Sequence, residues 1–199
     1  LLQIRDTKDI RVRTIEALYS VDTEDFEHNK KVLEDKIESI CDSVELTVNK
    51  GCDIIVLSDV NVSKKKAAIP IILLTSAVNQ RLISSGTRFL TSIVVETGQA
   101  VSTHDTACIL GFGASAVCPI TVFSRILETT SNSDEILNKL KNYQKAINKA
   151  LMKTMGKFGL CTAESYIGGE FFEGNFLDTT DSYLAKVFPN INSPIGGAS

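Results

Sequence analysis

The 199-residue sequence lacks any apolar run approaching the roughly 18 residues of a membrane span. Its first residues carry neither a basic leader nor an apolar signal core. A membrane partner is therefore not expected, and the reading is a soluble cytoplasmic protein. Basic charge is also short: 21 Lys and Arg stand against 24 Asp and Glu, for a formal charge of −3. With the basic residues scattered, no stripe for phosphates is expected and nucleic acid is not an expected partner. Lys64-Lys65-Lys66 is the one dense basic patch and reads as a solvated loop. Five cysteines (Cys41, Cys52, Cys108, Cys118 and Cys161) form no C-x-x-C pair or other close metal-ligand spacing. Their odd number argues for buried reduced thiols rather than a disulfide framework. No internal repeat or low-complexity linker interrupts the chain.

What is present is an alternation of short apolar runs and helical periodicities. Val12 to Tyr19 is rich in β-branched and aromatic types and reads as a strand. Asp22 or Thr23 then caps a helix carrying Phe26, Leu33, Ile37, Ile40, Val44 and Val48 on one stripe. Gly51 ends it. Ile54 to Leu57 is a continuous apolar run, the pattern of a strand buried on both faces of a parallel sheet. Pro70 opens a helix that runs to Ser85, Thr91 to Val95 is the next strand, a helix follows from Ser102, and Ala114 to Val117 is a further strand. A helix over Pro119 to Glu128 precedes a long one from Asp134 to Lys157, with Ile136, Leu140, Tyr143, Ile147, Leu151 and Met155 in line. Leu160 to Thr162 reads as a fifth strand, Phe171 to Phe176 as a short apolar helix, and the last twenty residues as loop. The fold expected is one α/β domain over residues 1–199, a parallel β/α layer too short of strands to close an eight-stranded barrel.

In such folds reactive groups gather at the carboxyl ends of the strands, here Asp59, Glu96, Cys118 and Ser165. Asp59 and Glu96 would serve as an acid and base pair if they met. The competing reading is that each accepts hydrogen bonds from loop N–H groups or caps the next helix. His104 precedes Asp105, but adjacent helix positions point about 100° apart, so a structural role for His104 is favoured over a proton shuttle. His28 lies on the polar side of the first long helix. Gly111-Phe112-Gly113-Ala114 precedes a strand rather than joining strand to helix, and so fails the context of a dinucleotide-binding turn.

One stretch is more specific. Asn142 through Leu151, continuing through Met155-Gly156-Lys157-Phe158-Gly159-Leu160-Cys161-Thr162 to Ser165-Tyr166-Ile167-Gly168, closely resembles the end of the glutamate synthase central domain. Gly51 to Asp59, Ser76-Ala77-Val78, Ser92 to Gly98, and His104 with Gly111 to Ala114 agree in order, so the resemblance spans nearly the whole chain. Ser193-Pro194-Ile195-Gly196-Gly197 is similar to the link entering the family's flavin domain, and residues 189–199 are read as its start. The chain also begins at Leu1 without a Met, so both ends read as cuts through a longer polypeptide. The sequence departs from the family at Asn79-Gln80-Arg81, where a histidine run is usual. It departs again at Asp105, in place of a second histidine, and at Ile167, in place of an arginine.

The resemblance implies a connecting domain, similar in topology to an FMN-binding barrel, incomplete or distorted. Its parent would make L-glutamate from glutamine and 2-oxoglutarate, using FMN, an iron-sulfur cluster and electrons from NAD(P)H or ferredoxin. Its partners would be the amidotransferase and FMN domains of the same polypeptide, and its compartment the cytoplasm or a plastid. No catalytic, cofactor-binding or metal-binding residue transfers to this segment. The isolated domain is expected to be inactive, and exposed interface patches would favour a homodimer. The alternative is a free-standing β/α enzyme with an acid-base site built from Asp59, Glu96 and His104.

Overall fold

The computed structural model describes residues 7, 9–21 and 25–198. In chain order the strands are β1 (Val12–Glu16), β2 (Leu18–Ser20), β3 (Ile54–Ser58), β4 (Lys66–Ala68), β5 (Ser92–Thr97) and β6 (Ala116–Pro119). The helices are α1 (Phe26–Asn49), α2 (Ile71–Ser84), α3 (Thr103–Gly111), α4 (Ile120–Thr129), α5 (Ser133–Lys157), α6 (Ala163–Tyr166) and α7 (Ser182–Val187).

β1, β3, β5 and β6 form one parallel sheet in that order. Apolar residues on one face, including Ile15, Ile55, Leu57, Ile93, Val95 and Val117, pack with Ile37, Ile40, Val44 and Val48 of α1 and Leu74, Val78 and Leu82 of α2. Each fully buried aliphatic side chain contributes roughly 1.5–3 kcal/mol, so this layer is the main source of stability. Val56 and Val94 point to the other face and are also buried, which is why β3 and β5 read as unbroken apolar runs. The expected alternation of four strands and three helices is thus observed.

Several expectations are corrected. The sheet is open, with β1 and β6 at its edges, and no closed barrel is present among the described residues. The barrel-like part of the fold reading therefore finds no support. Val12 to Tyr19 is not one strand. It breaks at Ala17, after which β2 leaves the sheet and pairs antiparallel with β4. Lys66 consequently sits in a strand opposite Ser20 rather than in a loop. Leu160 to Thr162 and Phe171 to Phe176 are irregular, so the fifth strand and the apolar helix are absent. The last twenty residues hold α7, capped by the Asp181 side chain, which accepts from the Tyr183 and Leu184 N–H groups. Asp22 and Thr23 lie outside the described residues; Asp25 caps α1, accepting from His28 N–H. Phe26, placed on the core stripe of α1, is 70% exposed.

The C-terminal segment is tied back onto the helical layer. Ser76 Oγ of α2 donates to the Val187 carbonyl at 2.6 Å, and Lys30 and Lys186 pair with Asp181 and Glu38. Leu184, Val187, Phe188 and Ile191 join the main core.

Candidate functional site: the carboxyl edge of the sheet

Parallel register brings one residue from each strand into a row at the carboxyl edge: Glu16, Ser58, Glu96 and Cys118. Ser58 Oγ donates to Glu96 Oε2 at 2.7 Å. Glu16 accepts from Asn61 Nδ2 at 3.0 Å and Lys66 Nζ at 3.3 Å. The Asn61 bond, with help from the Lys66 ammonium, holds the Glu16 carboxyl below the usual carboxylate range.

Asp59, one residue beyond β3, is 4% exposed. Its Oδ2 accepts from Thr97 Oγ1 at 2.5 Å and Gln99 Nε2 at 3.0 Å, and its Oδ1 from Gly98 N–H at 2.8 Å. A buried carboxylate needs such donors to offset lost hydration. The Gln99 amide also donates to the Ile69 carbonyl and accepts from Ile71 N–H, each at 3.0 Å. Asp59 and Gln99 therefore bind the end of β3, the start of α2 and the loop after β5 into one network. Asp59 N–H donates to the Glu96 carbonyl at 3.1 Å, so the two expected site residues are neighbours. Their carboxylates, however, are engaged by different donors.

His104 is exposed in the first turn of α3, where Nε2 lies 3.4 Å from Cys108 Sγ. Asp105 turns away to close a capping box: its carboxylate accepts from Ser102 N–H at 2.7 Å while Ser102 Oγ accepts from Asp105 N–H at 3.1 Å. The Ser102 N–H holds the Asp105 carboxyl below its usual range. Burial pushes the Cys108 thiol up to about 11, leaving it protonated at neutral pH. Ser165 Oγ lies 2.9 Å from Thr162 Oγ1, a contact made at the first turn of α6. His104 and Asp105 thus serve separate partners.

Asn79, Gln80 and Arg81 hold the fold together. Asn79 is buried, and its Oδ1 accepts from Arg88 Nε at 2.6 Å. Arg88 also donates to the carbonyls of Thr91 at 2.9 Å and Gly113 at 2.8 Å. Gln80 Nε2 donates to Glu170 Oε1 at 2.6 Å, and Asn190 Nδ2 to Glu170 Oε2 at 3.0 Å. Arg81 pairs with Glu38, Asp42 and Glu45 of α1. Sequence reasoning missed Glu16, Thr97, Gln99, Arg88 and Glu170. The polar residues flanking Gly98 at a strand end were a readable signal for Thr97 and Gln99; Arg88 reaches Gly113 25 residues on, and Glu170 reaches Gln80 90 residues back, so neither left a local signal.

Among the described residues no group of three His, Cys, Asp or Glu is arranged to hold a metal ion. An apolar groove of about 640 Å³ lies away from the carboxyl edge, between β6, α3, α4 and α5, lined by Leu110, Val117, Phe123, Leu140, Ile147 and Leu151. Among the described residues no helix is long and apolar enough to cross a membrane.

Fold and edge together define a parallel α/β domain whose polar strand ends are hydrogen-bonded to its own loops. Residues 1–175 match the family model described as the glutamate synthase central domain, and the chain belongs to that family. It is 34% identical over 188 residues to a ferredoxin-dependent glutamate synthase of Pyropia yezoensis, covering 87% of this chain and 12% of the relative. A chloroplastic ferredoxin-dependent glutamate synthase of Spinacia oleracea is 36% identical, covering 71% of this chain and 10% of the relative. An NADH glutamate synthase of Schizosaccharomyces pombe is 32% identical, covering 82% and 8%. The chain thus spans 8–12% of the length of these relatives.

Proposed function

We propose that this chain is the connecting domain of a glutamate synthase that makes L-glutamate from glutamine and 2-oxoglutarate. It sets the distance between a glutaminase domain and an FMN domain and helps wall the passage of ammonia between them. FMN, an iron-sulfur cluster and the NAD(P)H or ferredoxin electron supply belong to other parts of that polypeptide. A channel for a small neutral molecule needs fixed walls more than reactive side chains, and close packing around hydrogen-bonded loops supplies them.

The observation that carries this reading is the engagement of Asp59. A carboxylate satisfied by three donors from the end of β5 and the turn after it is poorly placed to exchange protons with a substrate, and well placed to fix that turn against the tip of β3. The same observation disfavours an acid-base site built from Asp59, Glu96 and His104. In the full-length enzyme, Asp59→Ala is expected to lower the glutamate formed per glutamine hydrolysed, while hydrolysis and FMN content persist. Loss of glutamate formation from added ammonia, with flavin retained, would instead place Asp59 in the chemistry. Flavin retained by the isolated chain after desalting would overturn the connecting role.

A further inference from the structure

The scattering of basic residues expected from composition does not hold along α5. Between Ile136 and Lys157 that helix carries six lysines and no acidic residue, in a chain of net charge −3. Lys141, Lys145, Lys149, Lys153 and Lys157 follow one another at intervals of four. Each step drifts by about 40° around the helix, so the row winds through about 160° from Lys141 to Lys157, while Lys145, Lys149 and Lys153 stay within about 80° of one another. The opposite face carries Leu140, Ile147, Leu151 and Met155 and packs on α3 and the apolar groove. All five lysines are exposed, and none of them forms an ion pair among the described residues; only Lys139 does, with Glu135 at 2.8 Å. At the margin of that arc, beside Lys145, Met152 is 71% exposed in a shallow recess also lined by Asn148, Lys149 and Lys153.

We propose that this face is a docking surface for an acidic surface of another domain of the same polypeptide. That surface would set carboxylates against Lys145, Lys149 and Lys153 beside an apolar side chain seated on Met152. The inference rests on the reading of the chain as one part of a longer glutamate synthase. Three observations select this occupant. Like charges at successive i,i+4 positions repel, and carboxylates from a partner relieve that repulsion. An exposed apolar side chain bordered by charged ones supplies both the contact types a protein interface uses. The segment lies within chains about ten times its length, so the remainder of the polypeptide is close at hand. The exposed face carries no aromatic side chain to stack on bases or sit among lipid headgroups, which disfavours nucleic acid and membrane.

The test is zero-length carbodiimide cross-linking of the full polypeptide, a reaction that joins only contacting ammonium and carboxylate groups, followed by peptide mass spectrometry. Expected are amide links from Lys145, Lys149 or Lys153 to Asp or Glu outside residues 1–199. In mixtures of light and heavy isotope-labelled protein these links form within one copy. They fall severalfold in high salt, and the Lys145→Gln, Lys149→Gln, Lys153→Gln triple variant raises amide exchange at the linked acidic segment. Links only within residues 1–199, links only between light and heavy copies, or no links from these lysines would overturn the proposal. So would protection of the three lysines from acetylation only when phosphatidylserine vesicles, an oligonucleotide or a separate acidic protein is added. If Asp59→Ala uncouples the two reactions but no links form, the connecting role stands and the docking face fails. If links form without uncoupling, the docking face stands and the connecting role fails.

Discussion

Arg88 closes on Asn79, its Nε donating to the buried amide oxygen at 2.6 Å while its terminal nitrogens hold the Thr91 and Gly113 carbonyls. Burial draws the guanidinium below its ordinary pKa, yet it keeps its charge at any physiological pH. Arg88→Ala strands three acceptors and is expected to cost about 3 kcal/mol in urea denaturation. Lysine offers one ammonium to three separated acceptors, so Arg88→Lys is expected to recover less than half of that loss. Full recovery by lysine would show that the charge, not the fork, matters.

Gly113 adopts φ +116, and a Cβ there would overlap the Asn79 side chain. Gly113→Ala is expected to destabilise by about 2–4 kcal/mol. Gly156 gives the contrast: it lies inside α5, where a Cβ meets nothing within 4 Å, so Gly156→Ala is expected to stabilise by about 0.5–1 kcal/mol. Thermal melts of the two variants should move in opposite directions.

Truncating Asp59 leaves a hydroxyl, a backbone N–H and an amide N–H without their shared acceptor. Asp59→Ala is expected to cost about 2–4 kcal/mol. Glu96→Ala, at a half-buried position, is expected to cost about 1 kcal/mol. Equal losses at the two positions would refute the division of labour along this edge.

Asp105 supplies the acid-side dependence. Its carboxyl is held below its usual range in the folded chain by the Ser102 N–H, so its contribution is present above the unfolded value and lost as pH falls through the folded one. Asp105→Asn is therefore expected to start lower at pH 7 and to lose less stability between about pH 5 and pH 2 than the parent chain. Parallel pH profiles of unfolding free energy would count against the capping carboxylate.

Thiol accessibility gives a readout without substitution. Burial pushes Cys41 up to about 12 and Cys108 up to about 11, whereas Cys161 is exposed. Iodoacetamide at neutral pH is expected to label Cys161 first and to reach Cys41 and Cys108 only on unfolding. Early labelling of Cys41 would show that α1 opens locally.

The elements legible in the sequence were those whose own periodicity decides their state. Ile54 to Leu57 is apolar throughout because both faces of β3 are covered, and the α1 and α5 stripes follow from one packed face each. What was illegible depends on partners far along the chain. Glu16 and Ala17 are weak strand formers, but nothing local shows that the strand after Ala17 changes sheets to meet Ala68. α7 did leave a signal, with Asp181 as cap and Leu184 and Val187 on one side, but six residues are too few for periodicity to outweigh a polar neighbourhood. The edge residues were half readable. Asp59 and Glu96 stood out as strand-end carboxylates and Gln99 as a polar residue beside Gly98, while the reach of Gln99 to Ile69 and Ile71 became visible only once they lay beside it.

Gln99 also has a mechanical consequence. A single planar amide bridges the tip of β3 through Asp59, and the chain entering α2 through Ile69 and Ile71. Its oxygen and nitrogen are not interchangeable there, so the group cannot flip without breaking all three bonds. A load applied to any one of these loops is passed to the other two as strain on this amide. The edge therefore yields as a single stiff rim instead of three independent flaps.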